Sequence, residues 1–189
     1  AGNSQFKGTR AVLDCWLQHP EWPKLIVISQ HLKASDYSCD NMEITSNLTD
    51  QEIEMLWQKA RFAVLPSEVE GYGQVLAEAL ANGCVTVTTD APPMNELVEE
   101  CRGYLAEPEE NQPFRLGTLF KVSKRSLEKV IDKALSESPE HLDRIAHNAT
   151  QWYALNHKAF LNRLTKAVNE LAEQPQDQSG RAPQEKPVR

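Results

Sequence analysis

The chain has 189 residues, of which 40% are hydrophobic and 25% are charged, a composition typical of one globular domain. Its 27 Asp and Glu residues outnumber its 20 Lys and Arg residues, and the net charge of −7 argues against nucleic-acid binding through a basic surface. The longest unbroken apolar run, Leu25-Ile26-Val27-Ile28, is far shorter than the roughly 18 residues of a membrane span. We therefore expect no membrane span. Because no signal peptide is visible either, we expect a cytoplasmic protein.

Strand and helix patterns alternate over the first 106 residues. Short β-branched apolar runs predict strands, and apolar residues spaced three and four apart predict helices between them. Because parallel strands need such crossovers, we expect an α/β fold with a Rossmann-like, doubly wound parallel sheet. The predicted strands are 25–29, 42–45, 62–65, 85–88 and 103–105. The predicted helices begin after Lys7-Gly8-Thr9, after Thr49, which forms a capping box with Glu52, after Gly73 and after Pro93, and the helix after Gly73 ends before Gly83.

The pattern changes after residue 106. Residues 107–118 include Pro113 and are predicted to be a loop, and helices follow from Ser123 and over about 141–173. The remaining residues, 174–189, are rich in Gln, Pro and charged residues and are expected to be a disordered tail. The predicted lobe thus covers 1–173, with a sheet core in 1–106 and a helical C-terminal part in 120–173.

The four tryptophans are predicted to be structural. Trp16, Trp57 and Trp152 lie in apolar helical patterns and are expected in the core. Trp22 lies between two turn signals, so we expect its side chain to be partly exposed.

Cysteine and histidine spacing predicts neither a disulfide framework nor a metal site. Cys15, Cys39, Cys84 and Cys101 show no C-x-x-C spacing, and the histidines show no metal-ligand spacing. We therefore expect reduced thiols and no bound metal ion.

One segment, 66–80, joins the carboxyl end of a predicted strand to the amino end of a predicted helix. Ligands bind at such crossings in open parallel sheets. Gly71 and Gly73 remove side chains where the helix begins, which leaves backbone N–H groups open to a diphosphate. Glu70 and Glu78 flank this point, and a carboxylate can accept two hydrogen bonds from a sugar diol. The segment fits a sugar-nucleotide site. It also fits a turn that its glycines make possible, with two glutamates that only face solvent.

The spacing of Glu70 and Glu78, with seven residues between them, resembles the E-x7-E signature of retaining GT-B glycosyltransferases of glycosyltransferase family 4. The resemblance covers about residues 2–105. Lys7-Gly8 looks like the lysine-glycine step that opens the family's donor-binding lobe. The other matching stretches are the strand 25–29, Pro66-Ser67 before the signature, Asn82-Gly83 with the following Val85-Thr86-Val87, and Glu96.

This resemblance implies one lobe of a GT-B fold that binds a nucleotide-diphospho-sugar and needs neither a cofactor nor a metal ion. It implies two catalytic residues: Glu70 contacts the donor sugar near its reacting carbon, and Lys7 pairs with the diphosphate and steadies the departing nucleotide. Glu78 would bind the ribose hydroxyls. The remaining donor-binding candidates are Gly71, Gly73, Gln74, Val75, Arg10 and Leu48.

Arg10 and Leu48 enter that set by position. The family usually has an arginine a few residues before the lysine, where this chain has Asn3 and Ser4. Arg10, about one helical turn past Lys7, is the candidate replacement, or it points away from the phosphates. Leu48 lies in a loop that would face the nucleobase.

The predicted function is the donor-binding domain of a retaining glycosyltransferase, which moves a sugar from a nucleotide-diphospho-sugar to an acceptor hydroxyl. The alternative is a non-catalytic module that binds a nucleotide or nucleotide-sugar within a larger assembly. A complete GT-B enzyme has an acceptor lobe ahead of the donor lobe, and we expect that lobe to be absent here. An acceptor glycan, lipid or protein would be recognised there, so this chain alone should bind nucleotide weakly and turn over little. UDP, GDP and ADP donors stay open alternatives.

Overall fold

The structure, a computed structural model, describes residues 6–33, 35, 37 and 39–173. The predicted tail, 174–189, lies outside the described residues, as do Asn3 and Ser4. The strands are β1 (Leu25–Ile28), β2 (Met42–Thr45), β3 (Phe62–Leu65), β4 (Val85–Thr89), β5 (Gly103–Ala106), β6 (Glu110–Phe114) and β7 (Gly117–Lys121). The helices are α1 (Thr9–Trp16), α2 (Asp50–Lys59), α3 (Gln74–Ala81), α4 (Met94–Leu97), α5 (Lys124–Leu135) and α6 (Pro139–Glu173).

The strands of the first half of the chain pair in parallel, as predicted. β1 pairs with β2, and β3, β4 and β5 form a second sheet in that order. The single parallel sheet expected from the sequence is therefore present in the described residues as two sheets, one of two strands and one of three.

Helices cover the second sheet on both faces. Every residue of β4 is buried, which is typical of a parallel strand between two helical layers. On one face β4 packs with Val12 of α1 and Leu127 of α5, and on the other side of the sheet Leu76 of α3 packs with Met94 of α4. The α/β prediction is confirmed in this layered arrangement.

Local capping signals fix the helix ends at the predicted residues. The backbone N–H of Glu52 donates to Thr49 Oγ1, and the Thr49 N–H donates back to Glu52 Oε2, a complete capping box for α2. Ser123 caps α5 by accepting from the Ser126 N–H at 3.1 Å. Gly83 follows α3 with a φ of 70°, the left-handed conformation that ends helices.

The loop prediction for 107–118 is wrong. These residues contribute to β6 and β7, an antiparallel hairpin that turns at Arg115 and Leu116. β6 is exposed over most of its length, so it lacks the apolar alternation by which strands are recognised. Pro113 fits because a two-stranded ribbon consists of edge strands, where a missing N–H is tolerated.

The chain divides into two compact units, Ala1–Ala154 and Leu155–Arg189. The first contains β1 to β7, α1 to α5 and the beginning of α6. The described part of the second is the remainder of α6, which exposes large apolar side chains at Leu155, Phe160, Leu161, Leu164, Val168 and Leu171.

Candidate functional site

The site begins where β3 ends. Pro66 and Ser67 are buried, and the chain then crosses a loop to Gly73, the residue before α3. Gly73 has a φ of 77°, and a Cβ there would lie 2.7 Å from Leu97 Cδ1. The left-handed conformation favours glycine here, whereas the tip of the Leu97 side chain could move to admit a Cβ. α3 starts without a side-chain cap, so its first N–H groups lack a capping acceptor from Gly73.

A second glycine brings α1 against this loop. Gly8 precedes α1 with a φ of 63°, and a Cβ there would lie 2.1 Å from the Pro66 carbonyl oxygen. The Glu68 N–H also donates to the Phe6 carbonyl at 2.8 Å. The residue between Phe6 and Gly8, Lys7, is thereby held beside the loop that follows β3.

The two predicted catalytic residues contact each other. Lys7 Nζ donates to Glu70 Oε1, and Ser67 Oγ donates to the same oxygen at 2.7 Å. The Lys7 and Glu70 side chains are 23% and 11% exposed, so the ion pair is partly withdrawn from water. Thr89 Oγ1 donates to the Ser67 carbonyl at 2.7 Å, which ties this cluster to the end of β4.

Glu78 lies one helical turn into α3, beyond Gln74. Gln74 Nε2 donates to Glu78 Oε1 at 3.0 Å, so the two predicted donor-binding side chains form a pair. Val75 is exposed beside them. Gly71 borders open space, because a Cβ there would meet nothing within 4 Å, and its lack of a side chain is not a steric requirement.

Arg10 and Leu48 lie outside this cluster of contacts. Arg10 pairs with Asp14 Oδ1 at 3.3 Å and donates to the Tyr37 hydroxyl at 3.2 Å, so it contacts the connection between β1 and β2. Leu48 is half-buried between β2 and α2, directly after Asn47, whose φ is 57°.

The hairpin of β6 and β7 borders the site, and the sequence interpretation missed it. The Phe120 N–H donates to the Glu68 carbonyl at 2.8 Å, so both backbone groups of Glu68 are fixed by other segments. The rings of Phe6 and Phe114 lie 4.9 Å apart between centroids. Burial raises the pKa of the Glu68 carboxyl, and Lys121 on the hairpin partly offsets this. Two phenylalanines around a short Arg-Leu-Gly turn were the available signal for this hairpin.

The described residues hold no group of three or more His, Cys, Asp or Glu side chains that could bind a metal ion. All four cysteines are free thiols. No helix within the described ranges is long and apolar enough to cross a membrane.

Residues 30–152 match the family model described as Glycosyl transferases group 1. The chain belongs to this family. As a group 1 domain it has structural neighbours that are GT-B glycosyltransferases, and its fold is one Rossmann-like lobe of that architecture, with helices at the carboxyl end. A comparison with curated proteins returned no match.

Three solved structures illustrate the likeness of this group 1 domain. It matches Anabaena Alr3699/HepE in complex with UDP and glucose at 19% identity and a TM-score of 0.70, covering 90% of this chain and 47% of that one. It matches the pneumococcal O-GlcNAc transferase GtfA in complex with UDP and GlcNAc at 18% identity and a TM-score of 0.66, covering 90% and 34%. It matches the C-terminal domain of a Francisella tularensis group 1 protein, LpcC, at 21% identity and a TM-score of 0.62, covering 82% and 81%. The chain thus spans between a third and a half of the two longer proteins.

Proposed function

We propose that this group 1 domain binds the donor of a retaining, family 4-like glycosyltransferase, which moves a sugar from a nucleotide-diphospho-sugar to an acceptor hydroxyl. The observation that carries the proposal is the contact between Lys7 and Glu70 in the loop that leads from β3 to α3. A lysine ammonium and open helix N–H groups favour a diphosphate, and a carboxylate beside them suits the attached sugar.

Lys7 would stabilise the leaving nucleotide. Charge develops on the diphosphate as the bond to the sugar breaks, and an ammonium held in place stabilises that charge without reorganisation. The N–H groups of Gly73, Gln74 and Val75 add the positive end of α3. Through these groups the protein could transfer the sugar without a divalent cation.

Glu70 would position the donor sugar near its reacting carbon. Its carboxylate is oriented by the Ser67 hydroxyl, and Ser67 is itself held by Thr89. An oriented carboxylate gives a fixed negative charge near a carbon that becomes electron-poor in the transition state. The role is positioning and electrostatic, with no covalent intermediate on Glu70.

Glu78 would accept hydrogen bonds from the ribose hydroxyls. The Glu78 carboxylate contacts the side chain of Gln74, the first residue of α3. This contact directs the carboxylate towards the end of the helix whose N–H groups we propose for the diphosphate. Two of the similar proteins contain UDP, so UDP-sugars are the first donors to test, ahead of GDP- and ADP-sugars.

The alternative is a non-catalytic module that binds a nucleotide or nucleotide-sugar within a larger assembly. In the enzyme reading, by contrast, an acceptor glycan, lipid or protein would be recognised by a separate acceptor lobe.

Isothermal titration of the chain with UDP, GDP and ADP and their sugars tests donor binding. We expect weak binding of one nucleotide series, unchanged by EDTA, and little transfer by the chain alone. No binding of any nucleotide contradicts both readings, and a requirement for Mg²⁺ contradicts the metal-independent site.

Variants in a protein that also contains an acceptor lobe separate the two readings. Glu70→Gln should lower kcat about 100-fold with a small effect on nucleotide affinity. Glu78→Gln should weaken nucleotide binding about tenfold. Glu100→Gln, on an exposed residue, is the matched control. Transfer that survives both site variants contradicts the enzyme reading, and the anomeric configuration of the product, read by NMR, tests retention.

A further inference from the structure

The second compact unit of the chain is, in its described part, the stretch of α6 from residue 155 to residue 173. Every residue from 160 to 172 is exposed. A helix in water is only marginally stable, and most helices in proteins are stabilised by packing of an apolar face. This stretch of α6 would therefore gain stability from a partner that covers its apolar residues.

The large apolar residues of this stretch lie along one side of α6. At 3.6 residues per turn, five of them fall within an arc of about 100°. They are 45% to 68% exposed, and we call them the α6 stripe: Phe160, Leu161, Leu164, Val168 and Leu171. The last four follow the alternating spacing of three and four residues that forms the seam of a coiled coil. A continuous exposed stripe of this kind is typical of an interaction surface.

Two opposite charges lie along one border of the α6 stripe. Arg163 and Glu170 are seven residues apart, about two helical turns, so both lie on the same side of Leu164. Glu170 also contacts Lys166 of the same helix, at 3.7 Å between Oε1 and Nζ, and both side chains are well exposed. Exposed pairs of this kind contribute little, so Glu170 can accept a further cation at small cost.

An antiparallel second copy of this helix matches both the stripe and the charges. In a pair related by a two-fold axis, each border of the stripe faces the same border of the other copy. When Leu161 of one copy packs against Leu171 of the other, Arg163 lies opposite Glu170, and the symmetry produces this ion pair twice. In a parallel pair the same border would face the side that carries Lys158, which provides no opposite charge for Arg163.

We propose that the α6 stripe is a dimer interface whose occupant is the α6 stripe of a second, antiparallel copy of this chain. Leu161 and Leu171 form the outer layers of the interface, and Leu164 and Val168 form the inner layers. The overlap covers residues 161–171, about 16 Å of helix. An interface this short is small compared with those of permanent dimers, so the dimer is weak and reversible.

Analytical ultracentrifugation of the full chain between about 5 and 500 µM tests the proposal. We expect a reversible monomer–dimer equilibrium. Leu164→Glu, in the middle of the stripe, should raise the dimer Kd at least tenfold. Leu155→Glu is the matched control, because Leu155 is 70% exposed and lies on the opposite side of α6. A monomer at every concentration, or the same loss of dimer in both variants, overturns the proposal.

Charge reversal tests the antiparallel orientation without changing the apolar layers. Arg163→Glu alone places two glutamates opposite each other at both ends of the interface, so it should raise the dimer Kd at least threefold. Combining Arg163→Glu with Glu170→Arg restores opposite charges and should return Kd to within about twofold of the parent value. An unchanged Kd in the single variant, or no recovery in the double variant, overturns the proposed arrangement.

A lipid surface is the other occupant to test, since an amphipathic helix can lie on a membrane. Flotation of the full chain with vesicles of phosphatidylcholine and phosphatidylglycerol should show no binding. Vesicle binding by a chain that does not dimerise would overturn the proposal. The dimer does not depend on the donor site, so Leu164→Glu should bind nucleotide as the parent chain does, and a loss of nucleotide binding together with the dimer would contradict this independence.

Discussion

At the scale of single residues, two glycines allow the approach that forms the site. Gly8 admits the Pro66 carbonyl where any Cβ would collide, and Gly73 supplies the left-handed turn that precedes α3. Both have positive φ values, a conformation that costs other residues about 1–2 kcal/mol. Lys7 meets Glu70 because of this backbone approach, although 63 positions separate them in the chain.

Gly8→Ala should therefore destabilise the domain and weaken nucleotide binding together. We expect a loss of at least about 2 kcal/mol in the free energy of unfolding, from strain and from displacement of Pro66. Urea denaturation measures the loss. Gly117→Ala is the control, because its Cβ would make only an ordinary contact at 3.8 Å, and equal losses in the two variants would contradict the steric argument.

His19 gives the fold a pH dependence. Its ring stacks on Trp22 at 4.1 Å, and its two nitrogens meet Glu21 at 2.8 Å and Glu128 at 3.4 Å. The hydrogen bond to Glu21 first, and then the pairing with Glu128, raise the pKa of His19 above 6.5. Lys124 also contacts Glu128, at 3.1 Å, and competes for it.

Because the pKa of His19 is raised in the folded state, its charged form stabilises the protein at pH values below its pKa in the unfolded chain. This stabilisation is lost as the pH rises through the pKa of His19 in the folded protein. His19→Gln should therefore cost more stability at pH 5.5 than at pH 8.5. Unfolding of both proteins at the two pH values measures the difference. His147→Gln, at an exposed position, is the control. A loss of stability in His19→Gln that grows with pH would contradict the predicted direction of the pH dependence.

At the scale of elements, the features that local sequence determines were predictable. The β-branched runs, the Thr49 capping box and Gly83 each carry their structure within a few residues. Trp22 was predicted to be partly exposed, and it is buried, because His19 stacks on it and Asp132, 110 positions away, accepts from its indole N–H. Long-range partners of this kind leave no local pattern.

The candidate site likewise combines features that the local sequence predicts with features that depend on residues far away in the chain. The glycines and the strand-to-helix crossing were readable from the pattern at 66–80, whereas the place of Lys7 came from a resemblance. The direction of Arg10 depends on Tyr37 and Asp14, and the border formed by β6 and β7 depends on contacts to Phe6 and Glu68. The sequence pattern contained neither of these distant partners.

The hairpin should support the site through Phe114. Phe114→Ala removes the ring contact with Phe6, so we expect a loss of about 1–2 kcal/mol in stability and weaker nucleotide binding. Thermal unfolding and titration measure the two effects. Leu116→Ala, at the fully exposed turn of the hairpin, should change stability by less than about 0.5 kcal/mol, and a larger effect there than at Phe114 would contradict this role.

At the scale of the whole molecule, buried thiols report on global unfolding. Burial raises the pKa of Cys15 to about 12 and that of Cys84 to about 11, whereas Cys101 is exposed. The thiolate is the reactive form, so Cys101 should react with iodoacetamide at pH 8 while Cys15 and Cys84 react only after unfolding. Mass spectrometry with and without urea identifies the modified sites, and rapid labelling of Cys15 in buffer would contradict the layered core.

Nucleotide should stabilise the molecule as a whole by mass action. At a concentration about 100 times Kd, a ligand that binds only the folded state adds about 2.7 kcal/mol to the free energy of unfolding. Thermal unfolding with increasing UDP, GDP or ADP measures this, and the base that shifts Tm at the lowest concentration identifies the donor class. A shift of the same size in Glu78→Gln would contradict the role of that carboxylate.

Under the proposed function, the ion pair between Lys7 and Glu70 should also affect how fast a donor associates. A lysine whose charge is already balanced exerts little pull on a distant anion, and the chain as a whole is negative. Donor encounter then lacks electrostatic steering, and its association rate should rise as added salt screens the repulsion between the negative chain and the anionic donor. The domain would choose its donor after collision, through the exchange of one lysine partner for another.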